Sequence, residues 1–354
     1  MKRDRALDGS AVLRFDSGLQ VRIGNIAACL GLVVVLAALA VVSTGVGLTQ
    51  TGAAGLLRLL AGEPVSGAET FALATVRLPR LLEAFMAGWC VALAGAVLQS
   101  IARNPLADPG LFGLSQGSMT MIMLLLVFMP AASKPMVAVA ALGGGITVAL
   151  VLVWLTGGER AGGLALLLMG LAVEAVLSSV TSVLLLYTPP ETSLALADWM
   201  AGSLFKASWS GVIELLLPWS ASLIGIILLG RALRVYEFGN EIALSLGEPL
   251  RVSRPLILVF AVFLSAAAVT AVGPLMFLGV IAPQLAGLTT RATGGMRLFL
   301  SALMGGILVV AADTFARGLG GDIPLPLGLG LTLIGVTLFI LALRLQALRR
   351  SQLH

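Results

Sequence analysis

The chain has 354 residues, of which 58% are hydrophobic and 11% are charged, and its mean hydropathy is +1.05. Soluble domains are about half apolar and about a quarter charged. This composition therefore excludes an ordinary soluble protein and favours a chain that lies in a bilayer. The formal net charge of +5 reflects the placement of arginines around the predicted spans, and we give it no weight as a sign of nucleic-acid binding.

Ten apolar stretches predict about ten transmembrane helices. A span needs about 20 apolar residues to cross roughly 30 Å of hydrocarbon, so the short stretch 275–288 predicts a half-length or tilted helix. The stretches lie at 25–48, 81–101, 112–130, 136–156, 164–188, 210–230, 256–272, 275–288, 298–317 and 325–345. The expected fold is an all-α integral membrane protein, with an N-terminal segment 1–24, a polytopic transmembrane domain 25–345 and a tail 346–354.

Basic residues are concentrated on one side of the predicted spans. If the spans alternate in direction, 16 of the 22 Lys and Arg residues lie on the same side as the N-terminus. The first apolar stretch is too long for a secretory signal and lacks a small-residue cleavage pattern, so we expect the N-terminal segment to remain attached. The positive-inside bias then predicts a multi-pass protein with both termini in the cytoplasm.

Several function classes are disfavoured by the residues present. Cys29 and Cys90 fall inside predicted spans and the single histidine is His354, so neither a disulfide framework nor a metal site is expected. The chain has no G-x-x-x-x-G-K-[ST] phosphate loop. We therefore expect no cofactor in this chain, and ATP hydrolysis would require another subunit. A membrane enzyme is disfavoured because no cluster of His, Cys or paired carboxylates converges.

The stretch from Arg77 to Ser118 carries the most distinctive pattern. It begins with R-L-P-R and continues through a seam of small residues that predicts close helix packing, namely Gly88, Ala92, Ala94, Gly95 and Ala96. It ends in N-P-L-A-D-P-G at 104–110. Pro105 and Pro109 interrupt helical structure, and we expect Asn104 and Asp108 to supply the missing hydrogen bonds of this structural break, since irregular backbone at membrane depth must be satisfied.

Two further motifs lie in the second half, G-P-L-M-F-L-G-V-I-A-P-Q at 273–284 and A-A-D-T-F-A-R-G-L at 311–319. The break at Gly273 mirrors the one at 104–110, which suggests an inverted repeat with the transport pathway at its interface. With the R-L-P-R stretch, these motifs resemble the FecCD/BtuC-like family, the permease subunits of bacterial ABC importers for iron-siderophore complexes, haem and vitamin B12. The likeness covers most of residues 77–345 and departs at Gln284, where the family usually has histidine.

The resemblance implies a type II ABC importer permease fold in the bacterial inner membrane. It also implies a second permease chain, identical or homologous, two ATP-binding subunits that hold ATP and Mg²⁺, and a periplasmic substrate-binding protein. The chain itself would do no chemistry on the substrate. An iron-siderophore complex is the expected cargo, with haem and vitamin B12 as alternatives.

Three arginines depart from the positive-inside pattern. Arg77 and Arg80 lie at the outer end of the second span, and Arg317 lies at the outer end of the ninth. One interpretation is that they reach lipid phosphates or pair with nearby acids such as Asp313 and Asp322. The resemblance implies instead that they dock acidic residues of the substrate-binding protein, for which planar guanidinium groups are suited.

A short amphipathic helix is predicted between spans six and seven, at Ile242 to Leu246. Asn240 is the expected N-cap, and Gly247 with Pro249 would end the helix. One interpretation is an interfacial loop. The resemblance implies a coupling helix that fits a cleft on the ATPase, with contacts from Asn240, Glu241, Ala243, Leu246 and Gly247.

Glu174 is the one clear acid in the middle of a predicted span. An ionised carboxylate there costs roughly 2.5 kcal/mol or more, so it should face protein or water. Ser178 lies four residues further on and shares its helix face. The resemblance places both residues on the translocation pathway. The alternatives are a protonated carboxyl that hydrogen-bonds a neighbouring helix, and the proton site of a proton-coupled secondary transporter.

Overall fold

The computed structural model describes residues 2–5, 11–14, 20–46, 52–63, 66–155, 163–188, 190–319 and 325–351. These residues form three short strands, one π-helical segment at Phe71–Arg77 and fourteen α-helices. The helices are α1 (Ile23–Gly45), α2 (Ala53–Ala61), α3 (Gly67–Thr70), α4 (Leu78–Ala102), α5 (Leu114–Phe128), α6 (Lys134–Leu155), α7 (Gly163–Leu186), α8 (Pro190–Met200), α9 (Trp209–Tyr236), α10 (Asn240–Ser245), α11 (Leu250–Val272), α12 (Leu278–Thr289), α13 (Gly294–Leu319) and α14 (Leu327–Ser351).

The predicted all-α membrane fold is confirmed. Within the described residues, seven helices are long and apolar enough to cross a bilayer, and three shorter apolar helices, Leu114–Phe128, Leu278–Thr289 and Leu327–Leu341, match the other three predicted stretches. The helix α12 has 12 residues, a length of about 18 Å that is less than the hydrocarbon thickness. The stretch 275–288 therefore forms a short helix, as predicted.

The N-terminal segment contains the three strands, a feature for which the sequence analysis held no expectation. Its described residues form an antiparallel sheet of β1 (Lys2–Arg5), β2 (Ala11–Arg14) and β3 (Gln20–Arg22), in which Lys2 pairs with Arg14 and Val12 pairs with Arg22. Strands of three or four residues give almost no periodic signal. The sequence analysis therefore assigned no strand there.

The core of the bundle forms around α4 and α13, whose spans are the most buried, whereas α1 and α7 are mostly exposed. The small-residue seam of α4 explains this close packing. A Cβ atom on Gly88 would lie 2.5 Å from the carbonyl oxygen of Gly305 on α13, and Gly95 meets the backbone of Gly279 on α12 with no room for a side chain. Small residues let membrane helices approach closely, so the seam is a packing surface, as predicted.

Candidate functional site

Arg80 and Arg317 bind one acid, Asp313, at one end of the bundle, and Arg77 belongs to the same group of arginines. Arg80 donates to Oδ1 of Asp313 from Nε at 2.9 Å and from Nη2 at 2.7 Å. Arg317 donates from Nε to Oδ2 of the same carboxylate at 3.0 Å. Asp313 is buried, and the two guanidinium groups compensate its charge. We call these three arginines with Asp313 the arginine cluster.

The same cluster binds the C-terminal end of α1. Arg317 donates to the carbonyl oxygen of Ser43 at 3.2 Å and to that of Val46 at 2.5 Å, and Arg77 donates to the carbonyl oxygen of Thr44. The last carbonyls of a helix lack intrahelical donors and carry partial negative charge, so cations stabilise them. The arginine cluster thus joins α1, α4 and α13 within one chain.

These contacts agree with the interpretation of pairing with Asp313 for Arg80 and Arg317, whereas Arg77 donates to the carbonyl oxygen of Thr44; Asp322 lies outside the described residues. The docking role stays a prediction. Arg77 is only 7% exposed, whereas the side chains of Arg80 and Arg317 are 22% and 17% exposed. Any docking contact from this cluster would therefore come from the outer edges of Arg80 and Arg317.

The predicted short helix between spans six and seven is present as α10. It begins two positions before Ile242, where the helix was expected to start, because the N-cap is Gly239 at φ 106° and Asn240 is the first helical residue. Asn240 is therefore not the N-cap, which corrects the sequence analysis. The left-handed Gly247 (φ 82°) follows the helix end, in agreement with its predicted role as a terminator.

Most side chains of α10 point outward. Ala243 is buried and anchors the helix, while Ile242, Leu244 and Leu246 are 49%, 59% and 64% exposed, and Glu241 is exposed as well. Among the described elements, its main contacts are with α9 and α11. Three exposed aliphatic side chains on a loop between spans form an apolar surface with no cover from the described residues, which is typical of a protein contact site.

A polar network connects the base of α10 to the interior. Glu237, three residues before α10, forms an ion pair with Arg297 near the start of α13. Arg297 also donates to Oε1 of Gln99 at 3.1 Å and to Oγ of Ser100 at 3.2 Å. Gln99 in turn donates to the carbonyl oxygen of Gly279 on α12 at 3.0 Å. These contacts link the residues just before α10 to α4, α12 and α13. Sequence reasoning missed this network.

The structural break between α4 and α5 has the predicted hydrogen bonds. Oδ1 of Asn104 accepts from the N–H of Leu106 at 2.9 Å, and Oδ1 of Asp108 accepts from the N–H of Gly110 at 2.7 Å. The second oxygen of Asp108 faces the first turn of α12 at Gly279. Burial raises the pKa of Asp108 to about 6, while the backbone N–H groups around it lower that pKa.

The two breaks in the chain also contact each other directly. The amide of Gln284 on α12 donates to the carbonyl oxygen of Pro105 at 3.3 Å, while Pro109 lies beside Gly279. The residue that departs from the family pattern is thus positioned to tie α12 to the first break. Its effect on transport stays open to experiment.

Glu174 and Ser178 are both half-buried on α7. They lie toward the side of α7 that packs on α5, where a Cβ on Gly113 would lie 3.3 Å from the backbone nitrogen of Glu174. On the same side, the hydroxyl of Thr181 is 2.9 Å from that of Thr120 on α5. The shared helix face is therefore present, and the assignment of this face to a pathway stays a prediction.

Glu83 was missed by the sequence analysis. It is 3% exposed, and its Oε1 accepts from the N–H of Ser208 at 2.8 Å, which leaves no room for a side chain at Gly211. It lines a cavity of about 490 Å³ together with Lys134 and Glu214, which form an exposed ion pair at 2.7 Å. The sequence does contain a signal for this residue, because an acid stands one turn after Arg80 in an otherwise apolar helix.

A family-level comparison decides the class of the protein. The FecCD transport family model matches residues 32–345. The chain belongs to the FecCD transport family. This result confirms the resemblance stated from the R-L-P-R, G-P-L-M-F-L and A-D-T-F-A-R motifs, and it makes the chain a multi-pass transmembrane permease.

Individual relatives match over most of their length. The chain is 32% identical over 321 residues to the Fe(3+)-citrate import system permease protein YfmE of Bacillus subtilis (strain 168), covering 90% of this chain and 95% of that protein. It is 33% identical over 278 residues to the ferric enterobactin transport system permease protein FepG of Escherichia coli (strain K12), covering 78% and 82%. It is 32% identical over 284 residues to the hemin transport system permease protein HmuU of Yersinia pestis, covering 78% and 84%.

A solved structure confirms the ABC-transporter permease fold. It is an inward-facing conformation of a metal-chelate type ABC transporter, with a TM-score of 0.77 and 25% sequence identity. The match covers 89% of this chain and 98% of that chain.

Proposed function

We propose that this FecCD-family chain is the permease of an ATP-driven importer that moves an iron chelate, an iron-siderophore complex or haem, from periplasm to cytoplasm across the bacterial inner membrane. The relatives named above import ferric citrate, ferric enterobactin and hemin. These cargoes share iron held by an organic ligand. Vitamin B12, which the resemblance also implied, has less support because no relative named above carries it.

The observation that carries this proposal is α10. In our proposal α10 faces the cytoplasm together with both termini, and its exposed Ile242, Leu244 and Leu246 insert into a cleft on an ATP-binding subunit. Complete burial of a fully exposed Leu or Ile contributes about 1.5–3 kcal/mol, and these side chains, at 49–64% exposed, would contribute about half of that each. The partner binds ATP and Mg²⁺, and two such subunits serve a pair of permease chains, identical or homologous.

The remaining partners act at the other end. A periplasmic substrate-binding protein would place acidic residues against the exposed edges of Arg80 and Arg317, and the substrate would then pass along an axis between the two permease chains. The half-buried face of α7 with Glu174 and Ser178 is our candidate for the lining. ATP binding would move α10, and the Glu237–Arg297 pair would pass that movement to α13.

The test of this proposal is an interface variant at α10. The permease is co-expressed with its ATP-binding subunit and its binding protein, and ATP-dependent uptake of the ferric complex into proteoliposomes is measured. Leu246→Arg should remove both co-purification of the ATP-binding subunit and uptake, because a charge would be buried without a partner. Leu246→Met keeps apolar volume and should retain both.

Two results would contradict the proposal. The first is wild-type yield of the ATP-binding subunit with Leu246→Arg. The second is uptake by the permease chain alone on a proton gradient that is lost in Glu174→Gln, which would establish the proton-coupled secondary transporter instead.

A further inference from the structure

A second cavity opens on the side of the bundle. Its volume is about 630 Å³, and it lies where α1 and α9 flank α13. Met296 and Phe299 of α13 form its inner wall, Cys29 of α1 faces them, and α9 supplies the opposite wall. It is separate from α10, from the arginine cluster and from the cavity at Glu83, so none of the functions proposed above uses it.

Close helix packing fixes one edge of this cavity. A Cβ on Gly230 of α9 would lie 2.7 Å from the Cα of Gly295 on α13. Any side chain at either position would separate α9 from α13. The two glycines therefore maintain a tight crossing beside the cavity.

Charge and hydrophobicity are separated along α9. Arg231 and Arg234 line the cavity near the end of α9, and Ile226 and Ile227 line it further along the helix. Eight residues separate Arg234 from Ile226, which places the isoleucine about 12 Å deeper in the bilayer at the helical rise of 1.5 Å per residue. Arg231 and Arg234 are three residues apart and share one face. The cavity thus has a cationic entrance and an apolar interior.

The two arginines have no anionic partner in the described part of the chain. Both are exposed, no hydrogen bond or ion pair joins either guanidinium to a described group, and no Asp or Glu is among the described residues that line the cavity. Arg297 on the same side of the bundle pairs with Glu237, and Arg80 and Arg317 pair with Asp313. Arg231 and Arg234 are therefore available to an external anion.

We propose that this cavity binds an anionic glycerophospholipid, with its phosphate on Arg231 and Arg234 and an acyl chain against Ile226 and Phe299. Guanidinium groups bind phosphate oxygens in bidentate geometry. Basic pockets between transmembrane helices on the cytoplasmic side suit lipid head groups. Only the assignment to the inner leaflet rests on the proposed function, because that function places α10 in the cytoplasm.

The alternative occupants fit less well. A free phosphate ion would satisfy the arginines and leave the apolar wall uncovered. Ile227 is 79% exposed on a surface that otherwise faces hydrocarbon, so the interior of the cavity lies at a depth that lipid chains reach and a cytoplasmic subunit does not. A second permease copy that covered this face would bury two unpaired guanidinium groups.

Native mass spectrometry of the delipidated permease complex tests the proposal. Phosphatidylglycerol and phosphatidylcholine are titrated against the wild type and against Arg231→Gln/Arg234→Gln. We expect the double variant to bind phosphatidylglycerol roughly 30-fold more weakly, from the contribution of two basic residues near an anionic head group. Arg254→Gln/Arg291→Gln removes the same charge at the same end outside the cavity, and should change binding less than about twofold.

A depth-sensitive measurement separates lipid from free anion. A fluorophore on Cys29, with the buried Cys90 replaced by Ala, is exposed to phosphatidylglycerol with brominated acyl chains. We expect stronger quenching than with brominated phosphatidylcholine, and loss of that preference in the Arg231/Arg234 variant.

Three results would overturn the proposal. One is an equal loss of lipid binding in both double variants, which would indicate general charge attraction. Another is complete displacement of the lipid by millimolar inorganic phosphate, which would indicate a free-anion site. The third is efficient cross-linking of Ile227→Cys to its counterpart in a second permease chain, which would make this face a protein interface. Because none of these measurements requires transport, their outcome is independent of the proposed import activity.

Discussion

At one end of the bundle, Arg80 and Arg317 donate to Asp313, and Arg77 and Arg317 donate to the last carbonyls of α1, so each of the three arginines has a partner inside the chain. At the other end, α10 exposes three aliphatic side chains, of which Leu246 is 64% exposed. The first end is rich in charged groups, and these groups have partners within the chain. The second has an apolar surface that the described residues leave uncovered.

This difference separates two explanations of an unusual surface: a structural role within the chain, and a contact site for another protein. Arginines on the side that the positive-inside bias disfavours suggest a docking site, yet the structure gives each of them an internal partner. An exposed apolar helix has no such explanation within the chain. We therefore assign the arginine cluster first to holding α1, α4 and α13 together, and α10 first to binding a partner.

The variant with the largest expected effect removes Asp313, and it tests whether the arginine cluster has a structural role. Asp313→Ala leaves Arg80 and Arg317 without their shared carboxylate, and removal of one member of a buried ion cluster costs about 3–5 kcal/mol. We expect a loss of this size in the free energy of unfolding in mixed micelles. Loosening of α1 should follow, because Arg317 also binds Ser43 and Val46.

The matched control is Glu214→Gln, which removes the exposed partner of Lys134. Exposed ion pairs contribute about 0–1 kcal/mol, so this variant should unfold almost as the wild type does. If Asp313→Ala were equally mild while binding-protein affinity fell, the arginine cluster would be a docking site in the first place, and the comparison would fail.

Asp108, at the other end, is a buried acid to compare with Asp313. No arginine lies beside Asp108 in the described structure. Its pKa is raised to about 6 from 3.8 by burial, so the folded chain binds a proton more tightly than the unfolded chain does. Its contribution to stability is therefore complete below about pH 4 and is lost as the pH rises through 6.

The measurement is the free energy of unfolding between pH 4.5 and pH 7.5. Asp108 should make the wild type more stable at the acid end of this range, and Asp108→Asn should reduce the dependence because the amide does not titrate. An identical slope in the two proteins would show that other groups cause it.

The features that could be predicted from the sequence are those that depend on a local pattern of residues. Runs of apolar residues located the spans, and small residues at Gly88 and Gly95 predicted the packing surface of α4. Partners distant in the chain were missed, because nothing local connects Glu83 with Ser208 or Glu237 with Arg297. Asp313 was considered as a partner because it lies four residues before Arg317 on the same helix, while its bond to Arg80, 233 positions away, required the fold.

The smallest effect that we predict concerns the Glu237–Arg297 pair, which connects the exposed α10 to the interior. The pair is about 30% exposed, so a double-mutant cycle should give a coupling free energy of only about 1 kcal/mol. Arg297→Gln should lower the free energy of unfolding more than Glu237→Gln does, because Arg297 also donates to Gln99 and Ser100.

In proteoliposomes, both variants should retain ATP hydrolysis and transport less substrate per ATP, since α10 stays docked while its movement reaches α13 less directly. The exchange Glu237→Arg/Arg297→Glu should recover part of that ratio. Unchanged transport per ATP in both single variants would show that α10 acts on the bundle by another route, through its packing on α11.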